Sequence, residues 1–166
     1  MDIHQVVKIL KQSVELVYIQ DASLIETNAH EQAITHRIAY YFENMLMLYP
    51  WYIQEGYNID VEYNRYYDDP KRKNDQSLCK PDIILHRRGY NKLYDNLLVI
   101  EVKKNSDENL RDFDKLSEFT NQRGKYKYHL GIYINLKKDF KQVKYTYFSN
   151  GKKGWENNSS FVRLCS

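Results

Sequence analysis

Apolar residues recur along the first fifty positions at spacings of three and four. Val6, Leu10, Val14 and Val17 form one such stripe, which predicts an amphipathic helix from Ile3 to about Val17. After a polar break from Asp21 to Asn28, Ile34, Ile38, Tyr41, Met45 and Leu48 form a second stripe, and Pro50 sets its end. The period then changes. From Tyr57 to Tyr63 aromatic or branched residues alternate with polar ones, the two-residue period of a half-buried strand, and Asp68 to Ser77 reads as a charged loop.

Two β-rich runs follow, Asp82 to Arg87 and Asn96 to Lys103, joined around Gly89-Tyr90-Asn91, a pattern that predicts a hairpin. A helix is expected from about Ser106 to Thr120, and strands at Lys127 to Asn135, Val143 to Phe148 and Ser160 to Leu164. Helices on either side of a strand hairpin imply an α/β fold with a mixed central β-sheet flanked by helices. A chain of 166 residues fits one domain, 1–166.

The hairpin brings charged residues together. If Asp82 and Glu101 are opposed, their midpoint falls between Asn91 and Lys92, inside the predicted turn. Opposed residues share a sheet face with Cβ atoms about 4.5–5.5 Å apart, close enough for two carboxylates to hold one hard cation. Alternation places Lys103 on the face of Glu101, while Ile100 and Val102 point the other way. An acid pair with Mg²⁺ and a lysine suits phosphoryl chemistry, because the ion polarises phosphate and acidifies water while the ammonium offsets developing charge. Glu31 precedes Ile34 by three and Ile38 by seven, so it lies on the inward stripe of the second helix, whereas Glu43 points elsewhere.

Each of these residues has a structural alternative. Glu101 and Lys103 as an exposed ion pair would contribute only about 0–1 kcal/mol, but the Leu97 to Ile100 run before them indicates a buried strand, where unpaired charge is costly. Pro81-Asp82 also suits a turn leading into a strand. Asn28 followed by Glu31 resembles a capping box. His30, His36, His86 and His129 receive no role.

Pro81-Asp82, the intervening hairpin and Glu101-Val102-Lys103 together resemble the PD-(D/E)xK motif of restriction-endonuclease-like nucleases. The similarity extends from Glu31 to the strand that follows the helix containing Asp112 to Leu116. It implies a restriction-endonuclease-like core and a divalent-metal-dependent nuclease that hydrolyses phosphodiester bonds of DNA, with RNA as the second choice. By the same resemblance Asp82 and Glu101 are metal ligands for Mg²⁺ or Mn²⁺, and the Val102 carbonyl is a backbone ligand. Lys103 is the catalytic lysine, and Glu31 is the acid contributed by the helix, a further candidate for the metal. Lys115 is a secondary candidate on the helix after the motif. The alternative is a non-catalytic nucleic-acid-binding or protein-interaction module on the same fold.

Composition narrows the setting. A net charge of +3 does not by itself mark a nucleic-acid binder, so local patches matter. Lys71-Arg72-Lys73, after Tyr66 and Tyr67, suits phosphate contacts and base stacking, or equally a solvated loop. A homodimer would help so small a domain cut both strands of a duplex. The longest aliphatic run, Leu97 to Ile100, is far below the roughly 20 residues that span a bilayer, and no signal-peptide pattern opens the chain. A soluble cytoplasmic protein without membrane contact is expected. Cys79 and Cys165 form neither a zinc spacing nor a disulfide framework.

Overall fold

Asp2 starts the first helix by accepting a hydrogen bond from the His4 N–H at 2.9 Å, and α1 (Ile3–Gln20) buries Val6, Ile9, Leu10, Ser13, Val14 and Val17. In a computed structural model of the chain, residues 2–27, 29–66, 69–70, 79–90, 92, 94–105 and 109–154 are described, with 65–66 and 69–70 by their backbone alone. The Lys71-Arg72-Lys73 segment with Tyr67, the 160–164 strand, Asn28 and Cys165 lie outside the described residues.

The polar break contains a short helix, α2 (Ala22–Glu26), and α3 runs Glu31–Leu46. The buried face of α3 is Ile34, Ile38, Phe42 and Leu46 with Thr35 and Ala39, so Tyr41 and Met45 lie at its flank and Leu48 is 80 % exposed. The reason is a turn: the helix stops, and Pro50 opens another, α4 (Pro50–Gln54), with proline in the first helical turn, where a missing N–H is harmless.

The strands are β1 (Asn58–Val61), β2 (Arg65–Tyr66), β3 (Asp69–Pro70), β4 (Ile83–His86) and β5 (Asn96–Lys104). After α5 (Leu110–Thr120) come β6 (Leu130–Leu136), a 3₁₀ turn at Phe140–Gln142, β7 (Lys144–Ser149) and β8 (Lys152–Lys153). Six of them form one mixed sheet in the order β1-β4-β5-β6-β7-β8, and β2 and β3 pair separately. All neighbours are antiparallel except β5 and β6, which run parallel because α5 carries the chain back across the sheet. Asn150 and Gly151, both at positive φ, make the two-residue turn between β7 and β8, so Lys152 and Lys153 belong to an edge strand.

Every residue of β6 is buried, as is β5 from Asn96 to Val102, as expected of central strands covered on both faces. On one face Leu98, Ile100 and Val102 of β5 join Ile132 and Ile134 of β6 in a core under α1 and α3. On the other, Val99 and Tyr133 meet Phe113, Leu116 and Phe119 of α5. The next outward positions on that second face are Glu101 and Lys103. No helix of the described residues is long and apolar enough to cross a membrane.

Candidate active site

In the β4–β5 ladder Ile83 pairs with Ile100, Ile84 with Val99 and Leu85 with Leu98. Continuing that register by one step opposes Asp82 to Glu101. Beyond Leu85 the register shifts at a bulge, and His86 pairs with Asn96. Asp82 stands where β4 begins, with its backbone carbonyl accepting from the Glu62 N–H at 3.1 Å and its Oδ2 accepting from the Val102 N–H at 2.8 Å. Burial raises its carboxyl, while the Val102 N–H and the Lys103 ammonium offset part of that shift.

Glu101 is fully buried. The Lys115 Nζ lies 2.6 Å from its Oε2 as an ion pair outside hydrogen-bond geometry, and Oε1 meets no donor among the described residues. Burial first, and the negative charge of Asp82 second, push the Glu101 carboxyl well above the ordinary glutamate range.

Lys103 reaches three carboxylates from the end of β5. Its Nζ donates to Glu31 Oε1 at 2.6 Å and lies 3.8 Å from Asp82 Oδ2 and 3.9 Å from Asp112 Oδ2. Burial opposes its charge, but the Glu31 hydrogen bond and the surrounding carboxylates outweigh it and hold the ammonium above the ordinary lysine pKa.

Glu31 is the first residue of α3, with His30 as the cap. A capping box needs its acid at the third helical position, so that role does not apply to Glu31. Its carboxylate instead crosses to β5, accepting from Lys103 Nζ and, at 3.0 Å, from the Lys104 N–H. Lys104 itself turns to the α3 side, its Nζ 3.4 Å from the Ala29 carbonyl.

The four residues singled out from sequence therefore meet at one end of the sheet, where the first turns of α3 and α5 converge. Two further groups join them from α5. Lys115, 13 % exposed at its side chain, donates to the Lys80 carbonyl at 3.2 Å in addition to pairing with Glu101. Asp112, buried, lies 3.7 Å from Lys115. Its signal was present in the chain: it precedes Leu116 by four and Phe119 by seven, the spacing of the face that packs on the sheet.

No family model and no curated protein matches the chain.

The donor set suits a hard divalent cation. Counted as ionised, Glu31, Asp82, Glu101 and Asp112 carry four negative charges against two positive ones on Lys103 and Lys115, a surplus that one divalent ion neutralises. The bare Glu101 Oε1 is a buried acceptor without a donor among the described residues. Among those residues no three His, Cys, Asp or Glu side chains already converge as a cage, since the two ammoniums stand between the acids. Beside α3 an open concavity of ≈ 470 Å³ is lined by His30, Gln32, Ala33, His36, Val61 and Glu62, none of which belongs to the acid–lysine cluster.

Proposed function

We propose that this protein is a divalent-metal-dependent nuclease with a restriction-endonuclease-like core, acting on phosphodiester bonds of DNA, with RNA as the second choice. The observation that carries this reading is the fully buried Glu101, in register opposite Asp82, with Lys103 two residues on from it along the same face. The resemblance of Pro81-Asp82 and Glu101-Val102-Lys103 to the PD-(D/E)xK motif supports the same conclusion.

Asp82 and Glu101, with the Val102 carbonyl, would hold Mg²⁺ or Mn²⁺. Such an ion supplies Lewis acidity toward a phosphate oxygen and makes bound water a better nucleophile. Lys103 remains an ammonium through neutral pH because Glu31 and its neighbours raise its pKa, so it donates to a phosphate oxygen or to water and does not accept a proton. Glu31 fixes the direction of that ammonium and is the most exposed of the acids that contact it.

Lys103→Ala is expected to abolish Mg²⁺-dependent cleavage of DNA while retaining Mn²⁺ binding by calorimetry, and Asp82→Asn and Glu101→Gln are expected to lose both. Cleavage unchanged in Glu101→Gln overturns the proposal. DNA binding without cleavage of any single- or double-stranded substrate would identify a non-catalytic module instead.

A further inference from the structure

Asp112 occupies the third position of α5, in a first turn whose N–H groups need a side-chain cap. That work is done by Asn109, whose side chain accepts from the Arg111 N–H at 3.1 Å. Asp112 is nevertheless buried, and its Oδ2 meets no hydrogen-bond donor among the described residues. Burying a carboxylate with a bare oxygen is costly unless a cation joins it.

The same condition holds for Glu101, which is fully buried with a bare Oε1. The two carboxylates are neighbours through one ammonium: Lys115 Nζ lies 2.6 Å from Glu101 Oε2 and 3.7 Å from Asp112 Oδ1. Asp112 and Asp82 are neighbours through the other, with Lys103 Nζ 3.9 Å from Asp112 Oδ2 and 3.8 Å from Asp82 Oδ2. Register closes the circuit, because Asp82 opposes Glu101. Three acids and two lysines thus gather around one point, and Glu101 Oε1 and Asp112 Oδ2 are left without a hydrogen-bond donor among the described residues.

We propose that Asp112 is a third carboxylate of the metal centre, supplied by α5 to complete the set begun by Asp82 and Glu101. The inference rests on the metal-site reading of those two residues and goes beyond the motif, which ends at Lys103. It makes α5 part of the site.

Calorimetric titration of the full chain with Mn²⁺ tests it. Asp112→Asn is expected to weaken binding by about tenfold or more. Asp114→Asn, which removes the same charge from an exposed position of the same helix, is expected to change binding less than about twofold, as a screened surface charge does. Equal effects of the two substitutions reduce Asp112 to a distant charge and overturn the proposal. Loss of binding in Asp82→Asn with full binding in Asp112→Asn leaves the metal site standing and removes Asp112 from it. A wild-type chain that binds no Mn²⁺ sinks both readings. If Asp112→Asn does not fold, wild type labelled with ¹³C at the aspartate carboxyl decides the matter. Mg²⁺ is expected to shift the Asp82 and Asp112 signals but not that of Asp114, and an unmoved Asp112 signal overturns the inference.

Discussion

Glu101 shows how one residue couples burial to chemistry. A carboxyl enclosed in a central strand and facing Asp82 is pushed well above its ordinary value, so the metal-free native state retains a proton that the unfolded chain would have released. The sign follows from linkage: a raised folded pKa contributes stability in full below the unfolded value, and the contribution is lost as pH rises through the folded value. Metal-free protein should therefore lose stability from the ordinary glutamate pKa upward. Glu101→Gln, neutral throughout, is expected to flatten that dependence, measured as the change in urea midpoint between mildly acidic and alkaline buffer. A variant as pH-sensitive as wild type would show that Glu101 is not the titrating group. The opposition of this residue to Asp82 was readable in the chain because the midpoint of the pair falls in a turn. The partnership with Lys115 was not, since spacing alone does not say whether Arg111 or Lys115 of α5 reaches back over the strand.

At the scale of elements, α5 positions the site by how it lies on the sheet, and Gly131 sets that distance. A Cβ at Gly131 would stand 3.0 Å from Thr120 Cγ2, 3.2 Å from Phe148 Cβ and 3.3 Å from Leu116 Cδ2. Phe148 Cβ is anchored to its strand and cannot swing aside, so Gly131→Ala should overpack the contact and destabilise by about 1–3 kcal/mol, as read from urea denaturation. An unchanged midpoint would mean that α5 can lift from β6 freely. The long elements were legible because their periods repeat: the Val6, Leu10, Val14 and Val17 stripe is the buried face of α1, and the 82–87 and 96–103 runs are β4 and β5. The five-residue helices α2 and α4 were missed because they are too short to show a period. The β7–β8 hairpin carried an Asn-Gly signal, yet two lysines beyond it read more naturally as a turn. Asp112 lies inward because Phe113, Leu116 and Phe119 fix the roll of α5, and its spacing of four and seven from Leu116 and Phe119 carries that signal in the sequence.

At the scale of the whole molecule, the acids come from three places: α3, the β4–β5 pair, and α5. A cation held among them would tie the two helical layers to the sheet. Anything that binds only the native state stabilises it by mass action, about 2.7 kcal/mol at one hundred times Kd. Saturating Mg²⁺ is expected to raise the thermal midpoint of wild type by several degrees and to leave that of Glu101→Gln where it was. Equal shifts in both would assign the effect to salt at the surface.

The bulge at Leu85 and His86 has one more consequence. It separates the ladder into two lengths with different registers: a chemical end that opposes Asp82 to Glu101, and a distal end that answers to the hairpin loop. A slip introduced at the loop can be absorbed there without rotating a carboxylate to the wrong face. The pairing of His86 with Asn96 nearest the loop therefore follows one register and the opposition of Asp82 to Glu101 another, with the bulge as the joint between them.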